Sequence, residues 1–328
     1  MILTKTPLRI SFAGGGSDYI ESKLTTNKNS VLISGQVVSA TIDKFVYVII
    51  NKKHDNLIRV SYSKTENVSE VKKIKHDIIR NCLKFCKIKN GIEIITMADI
   101  PSSGSGLGSS SALAVGLLNA LNKYNKKNIS KMQLAKDAYY VEAIMGKKKI
   151  GLQDHFNASF GGFKNYIFKS YNNITVKNLK ISKKNINKFK NNLSMYYTGI
   201  NRKADKILGS ISKTYDLDKK TKLISDTIKF KKLLTKIDFK KIGKILNDAW
   251  FIKKNFGSRK IIKLLNNYHS IAIKEGMYGG KILGAGGGGY FLFLANKTAK
   301  KRIFKKLKNL ERINFNFYNR GTEIVYDD

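Results

Sequence analysis

A chain of 328 residues, 42% of them hydrophobic, can bury one large core or two ordinary ones, and two domains is the expectation. Its 62 Lys and Arg against 23 Asp and Glu give a formal charge of +39, but the lysines are strewn among Asn and Ile along the whole chain. With no zinc finger, aromatic-basic platform or heptad-basic run, that pattern argues against a specific nucleic-acid partner and for a composition bias that also concentrates phosphorylated substrates. No apolar run approaches the roughly 18 residues that span a bilayer, and no signal stretch is visible, so a cytoplasmic protein with no membrane partner is expected.

The first element is the strand TPLRISFAG, which carries Arg9 into Gly14, Gly15 and Gly16, with Ser17 and Asp18 at the exit. Three glycines let the backbone approach a neighbour closely, and Asp18 can accept hydrogen bonds from hydroxyls; a tight hairpin with an Asx turn would use the same residues. VVSATIDKFVYVIIN and GIEIITMA read as strands on either side of a helix over 70–87, which holds Cys82 and Cys86. No second cysteine pair completes a zinc site, so buried thiols are expected.

PSSGSGLGSSSA comes next, from Pro101 to Ala112. Gly104, Gly106 and Gly108 allow backbone N–H groups to turn inward on an anion, with Ser105 and Leu107 between them. Ser109, Ser110 and Ser111 fall at the start of a helix over 110–123, where free N–H groups and the helix dipole favour negative charge. A serine hydroxyl there can cap the helix, touch a phosphate or ligate Mg²⁺. A Walker A loop is excluded because no lysine occurs between Pro101 and Asn122, and a hydrolase elbow because the run is Gly-x-Gly-x-Gly.

A helix over 131–145 has Ser130 and Gln133 as a capping box and Gly146 as its stop. Leu134, Ala135, Ala138, Tyr139, Val141 and Met145 form its apolar face, with Glu142 near the middle. A carboxylate there is costly unless paired or bound to a cation. Asp154 lies twelve residues further on, in GLQDHFNASFGG, where a turn aspartate is equally compatible.

GGFKNYIFKS resumes strand periodicity, a Lys- and Asn-rich stretch over about 171–192 marks the junction, and LSMYYTG opens the second half. Long helices then lead to KILGAGGGGYFLFLA and a last helix and strand. Gly284-x-Gly286-x-x-Gly289 matches the dinucleotide fingerprint in form, but that fingerprint must open a helix and YFLFLA is a strand, so NAD binding is not expected. Gly286 and Gly287 instead belong to a backbone surface that closes over a nucleotide or substrate.

These clusters, in this order, resemble the GHMP small-molecule kinases. PSSGSGLGSSSA matches the family's Pro-x-x-x-Gly-Leu-x-Ser-Ser phosphate loop, PLRISFAGGGSDY stands in place of its first motif and GAGGGGYFLFL in place of its third. Within the superfamily FAGGGSD, GLQDHFNASFGGF, YYTGINRKA and KILGAGGGG look like the D-glycero-D-manno-heptose 7-phosphate kinase branch. The resemblance implies an α+β protein of two domains: an S5-like α/β domain over 1–175 and a ferredoxin-like domain over 176–328, with the active site between them.

It also implies the roles. Pro101, Gly104, Ser105, Gly106, Leu107, Gly108, Ser109, Ser110 and Ser111 would wrap the phosphates of ATP, and Ser110 and Glu142 would hold Mg²⁺. Asp154 would orient and deprotonate the acceptor hydroxyl, beside Arg9. Gly15, Gly16, Asp18, Gly286, Gly287 and Arg202 would contact substrate, Arg202 with Lys203 at a distal sugar phosphate unless they form only an exposed basic turn. Two departures bear on the acceptor. Gly15-Gly16 replaces the Glu-His of galactokinases, and Gln153-Asp154-His155 replaces the Gln-Asp-Gln of the heptose branch, with Leu152 in place of a lysine. The expectation is a monomeric or homodimeric ATP- and Mg²⁺-dependent kinase of the anomeric hydroxyl of heptose 7-phosphate, serving nucleotide-activated heptose synthesis. The alternatives are a kinase of another sugar, such as fucose, or a non-catalytic nucleotide- or RNA-binding protein.

Overall fold

The computed structural model describes residues 1–19, 35–101, 104–200, 217–253, 258–284 and 286–328. Its first sheet is built on two long strands, β1 (Ile2–Ala13) and β2 (Gly35–Lys52), paired antiparallel. The register slips between Pro7 and Leu8, which bends the pair. Because β2 bends, its two halves serve different neighbours. Residues 46–52 pair with β5 (Ile92–Ala98), and residues 35–40 pair with β6 (Phe163–Phe168). β3 (Ile58–Ser61) lies parallel to β5 and hairpins with β4 (Thr65–Val68), while β7 (Ile174–Asn178) hairpins with β6.

Helices α1 (Asp77–Phe85), α2 (Ser109–Tyr124), α3 (Lys131–Tyr139) and α4 (Gln153–Phe160) connect these strands. The helix expected over 70–87 is shorter than the pattern suggests. Val71–Lys73 form a separate 3₁₀ turn, Ile74 is extended, and the His76 ring caps α1 by accepting from the Ile79 amide. Of the capping box expected at Ser130 the serine half forms: its Oγ accepts from the Gln133 amide at 3.2 Å, while Gln133 Nε2 turns to Asp137 Oδ1 at 2.7 Å.

After α5 (Lys183–Asn191), the second sheet uses β8 (Leu193–Tyr197), β9 (Gly279–Ile282), β10 (Tyr290–Leu294) and β11 (Glu311–Ile313). Helices α6 (Leu217–Lys236), α7 (Phe239–Lys253) and α8 (Arg259–Lys274) separate β8 from β9, and α9 (Lys297–Lys306) separates β10 from β11. The strand order β11-β8-β10-β9, all antiparallel, is that of a ferredoxin-like βαββαβ unit. Its YFLFL strand is buried at every position, as an apolar run without alternation requires.

The expected boundary at 175/176 falls inside β7, which stays with the first sheet, and the junction stretch contains both β7 and α5. The last strand, β12 (Glu323–Asp327), also returns to the first sheet and pairs with β1. One apolar core runs through both halves, from Leu8, Ile10 and Leu117 to Phe230, Leu246 and Leu292. A shared core fixes the seam between the halves, and the loops at that seam with it.

Candidate active site

The loop from Gly104 to Gly108 packs on β1, where the Arg9 amide donates to the Leu107 carbonyl at 3.0 Å. Gly104, Gly106 and Gly108 have φ of 69°, 74° and 78°, the left-handed region that glycine adopts without strain. Leu107 and Ser105 are buried and anchor the loop, with the Ser105 hydroxyl 3.3 Å from that of Ser109. Gly108 is the N-cap of α2 and supplies no side-chain cap, so the amides of the first turn face outward with only the serine hydroxyls beside them.

Arg9 and Asp154 meet at the foot of this loop. Arg9 Nε donates to Asp154 Oδ1 at 2.7 Å and Nη2 to Oδ2 at 2.6 Å, while Nη1 donates to the Gly106 carbonyl at 2.6 Å. One guanidinium thus fixes the carboxylate in a planar fork and ties it to the glycine loop. The Arg9 side chain is 5% exposed and that of Asp154 is 23% exposed, so the pair is desolvated on one side and open on the other. Gly108 borders the pair: a Cβ there would come into contact, 3.4 Å from both Arg9 Cγ and Asp154 Oδ2.

Glu142 occupies a wide turn of π-helix, Tyr140–Met145, that continues α3. The wider turn buries three successive side chains, Val141, Glu142 and Ala143, which a regular helix face would not. Glu142 Oε2 accepts from Ser111 Oγ at 2.9 Å and is paired with His155 Nε2 at 2.8 Å. Burial alone would raise its pKa. The hydrogen bond and charge of His155, a hydrogen bond from Ser110 and the charge of Lys148 outweigh that and hold it below the usual carboxylate value. Neither the Ser111 nor the His155 contact uses Oε1, and Ser110 stands exposed beside the carboxylate. One carboxylate and one hydroxyl, completed by water and phosphate oxygens, fits the coordination Mg²⁺ takes in phosphate sites. Among the described residues there is no group of three or more His, Cys, Asp or Glu side chains that could hold a metal alone.

The first glycine run turns against the start of α4. Gly14 and Gly16 have φ of 81° and 108°, and a Cβ on Gly14 would lie 1.8 Å from the Gln36 carbonyl. A Cβ on Gly15 would meet Ser11 Oγ at 2.8 Å and Gln153 Nε2 at 3.5 Å. Asp18 accepts from the Gly16 amide at 2.9 Å, the Gln153 amide at 3.0 Å and Gln153 Nε2 at 3.1 Å. It therefore holds the N-terminus of the helix that carries Asp154. Burial pushes its pKa up, with the neighbouring charge of Asp154 adding to it against the Gln153 and Gly16 amides. Ser11 Oγ and Gln153 Oε1 are buried there without hydrogen-bond partners.

The third glycine run closes on the first loop by backbone alone. A Cβ on Gly284 would lie 2.5 Å from Gly106 Cα, one on Gly106 2.4 Å from the Leu283 carbonyl, and one on Gly289 2.5 Å from the Ser105 carbonyl. Gly286 and Gly287 are buried at φ of 100° and 70° within the same run. Arg202 and Lys203 lie outside the described residues.

Two members of the site carry no assigned role in the sequence pattern. His155 stands out there only as a departure from Gln-Asp-Gln, yet it is fully buried against Glu142. Lys281, also buried, donates to the Phe12 carbonyl at 2.9 Å and ties β9 to β1 two residues ahead of Gly14. Its signal is a lone lysine between Gly280 and Ile282 in an otherwise apolar strand.

Two family models match the chain: the GHMP kinases N terminal domain over residues 71–162 and the GHMP kinases C terminal over residues 230–312. A D-glycero-alpha-D-manno-heptose 7-phosphate kinase from Campylobacter jejuni is 30% identical over 327 aligned residues, which cover 94% of this chain and 93% of that protein. A mevalonate kinase from Methanocaldococcus jannaschii is 25% identical, with 85% of this chain and 91% of that protein covered. The fold is shared with a crystal structure of a D-glycero-D-manno-heptose 1-phosphate kinase from Bacteroides thetaiotaomicron, at a TM-score of 0.77, 22% identity and complete coverage of both chains.

Proposed function

Because this chain belongs to the GHMP kinase family, we propose that it transfers the γ-phosphoryl group of ATP to the anomeric hydroxyl of D-glycero-D-manno-heptose 7-phosphate, giving the 1,7-bisphosphate. The family makes the chain a phosphotransferase acting on a sugar hydroxyl. The choice of heptose 7-phosphate rests on the 30% identical relative.

One observation carries the mechanism: the Arg9 fork that joins the Asp154 carboxylate to the glycine loop. Phosphoryl transfer needs in-line positioning and charge neutralisation more than covalent help from the protein. Asp154 still has lone pairs on its open side, and in our reading it takes the proton of the acceptor hydroxyl as the new O–P bond forms and the old one breaks toward ADP. Arg9 keeps the carboxylate from rotating and holds it at a fixed distance from the phosphates. The amides of Gly104 to Ser111 receive the phosphates. Mg²⁺, when held by Glu142 and Ser110, supplies further charge neutralisation. Gly15 and Gly16 offer backbone to the sugar, Asp18 secures that backbone to α4, and Gly286 and Gly287 form the opposing wall.

The test is a panel of acceptors with Mg·ATP and the purified chain: heptose 7-phosphate, fucose, galactose and mannose. Heptose 7-phosphate should give the highest kcat/KM. A higher value for an unphosphorylated sugar would replace the acceptor while leaving the kinase assignment standing.

A further inference from the structure

A polar cavity of about 710 Å³ lies at the far end of β8 from the glycine loops. Leu193 and Ser194, at the start of β8, line it, whereas just past its end the amide and hydroxyl of Thr198 both donate to the Gly289 carbonyl. Five residue steps at about 3.3 Å each place the two ends on the order of 16 Å apart. The cavity belongs to neither the phosphate loop nor the sugar side of the site.

Its lining is strongly cationic. Lys44, Lys190, Lys297, Lys300 and Arg312 face one carboxylate, Asp43, which already accepts from the Asn316 amide at 2.6 Å and from Asn316 Nδ2 at 2.9 Å. Four positive charges are left without a counter-charge in the lining. Lys300 turns its ammonium to the Asn191 and Leu193 carbonyls, at 2.8 and 2.6 Å, which leaves one of its three donors over. Arg312 lies over the Phe304 ring, 5.0 Å from its centroid. Burial and then the charges of Arg312 and Lys190 pull Lys300 below its ordinary pKa, as crowded cations without an anion require.

A second feature asks for a polar guest. Ser194 is 5% exposed and its hydroxyl has no hydrogen-bond partner. The Tyr196 hydroxyl, two residues along the same strand face and close enough to interact with it, is also without a partner of good geometry. Each of these buried hydroxyls has at most the other as a partner, so a bound molecule can supply a further hydrogen bond there. The cavity volume is within the range of small-molecule sites.

We propose that this cavity binds a small anion carrying at least two phosphoryl groups, held by Lys190, Lys297, Lys300 and Arg312 and by the Ser194 hydroxyl. A single phosphate, with about two charges, leaves half the lining uncompensated. An extended polymer would need a groove or stripe of cations, whereas these are gathered round one partly open hollow. Lys44 belongs to the first sheet and the other cations to the second half, so the cavity lies where the two meet.

The experiment is acetylation footprinting of the full chain by mass spectrometry, with inorganic pyrophosphate as the probe. Pyrophosphate should reduce acetylation of Lys190 and Lys297 at least threefold, and orthophosphate should need a concentration at least tenfold higher for the same protection. ATP and fructose 1,6-bisphosphate form two further arms, and the one that protects at lower concentration identifies the organic part. Calorimetry should find two classes of pyrophosphate site in the native chain. Lys190→Gln with Arg312→Gln should leave one class, and Ser194→Ala should weaken the lost class at least threefold. Protection of neither lysine by millimolar pyrophosphate overturns the proposal, as does protection by a short RNA alone. Because footprinting uses the native chain, a variant that fails to fold does not remove the test.

Discussion

Two glycine-rich loops face each other across the site, and they use the same residue for different ends. In the first loop Gly108 borders the Arg9–Asp154 pair, where a Cβ would just touch both at 3.4 Å, while Gly106 lies against the Leu283 carbonyl. In Gly284 to Gly289 the glycines leave room for another backbone, since a Cβ on Gly284 would collide with Gly106 Cα at 2.5 Å and one on Gly289 with the Ser105 carbonyl at 2.5 Å. The first loop opens a helix, whose first-turn amides have no partner within the helix; the second precedes a strand paired on both sides. Glycine content alone therefore does not define a phosphate site. What the loop opens also differs, a helix in one case and a strand in the other.

The comparison breaks most visibly at the side chains gathered by the first loop. Asp154→Asn should lower kcat by about 10² to 10⁴-fold while changing the KM for ATP by no more than about threefold, because a positioned base contributes that much and the phosphates lie on backbone. Full turnover in both Asp154→Asn and Glu142→Ala would sink the enzymatic reading. Where the two loops touch, the effect moves from rate to stability. Gly284→Ala and Gly106→Ala should each destabilise the chain by about 2–4 kcal/mol in urea titrations, combining overpacking with the strain of a left-handed non-glycine residue. Since both fill one contact, the double variant should fall well short of their sum; full additivity would mean the loops do not touch.

Smaller effects sharpen the contrast. Ser110→Ala should raise the KM for Mg·ATP and lower kcat, together by about tenfold, the worth of one hydrogen bond or ligand to a charged group. Unchanged constants would show that the metal is held elsewhere. The pH dependence of stability should also divide the two walls. Glu142 has a folded pKa below its ordinary 4.5, so its contribution is fully present above pH 4.5 and is lost as pH falls through the lower folded value. That acid-side loss should vanish in Glu142→Gln and persist in Gly284→Ala. Asp18 acts in the opposite sense: its folded pKa lies above 3.8, so stability falls as pH rises from 3.8 through that value.

Much of this arrangement is legible in the sequence because it rests on local rules. The strands around Arg9, the Ser130 cap, the serine turn after Gly108 and the strand after Gly289 each come from periodicity, capping or glycine placement. The illegible part depends on distant partners. Only the family resemblance puts Arg9 beside Asp154, 145 residues away; nothing in the local pattern announces the two-pronged fork. Glu142 stands out as a carboxylate on an apolar face, but the π-turn that aims it and the His155 that pairs with it are products of packing. The return of β12 to β1 is hidden for the same reason, because TEIVYDD is a short edge strand whose partner lies at the other end of the chain. The break at Ile74 within the expected first helix depends on the ring of His76 acting as a cap, a role that serine, threonine, aspartate or asparagine ordinarily fills.

The smallest prediction separates the two costs combined at Gly284. Gly199 has φ of 70°, close to the 73° of Gly284, but a Cβ there would meet nothing within 4 Å. Gly199→Ala should therefore carry only the backbone penalty of the left-handed region, about 1–2 kcal/mol. Gly199→Asn should lose less, because a short polar side chain tolerates that conformation. Subtracting the Gly199→Ala loss from that of Gly284→Ala leaves the packing cost of pressing a methyl group into Gly106. If the two losses were equal, conformation alone would explain the second loop, and its glycines would serve the turn rather than the close approach to the first loop.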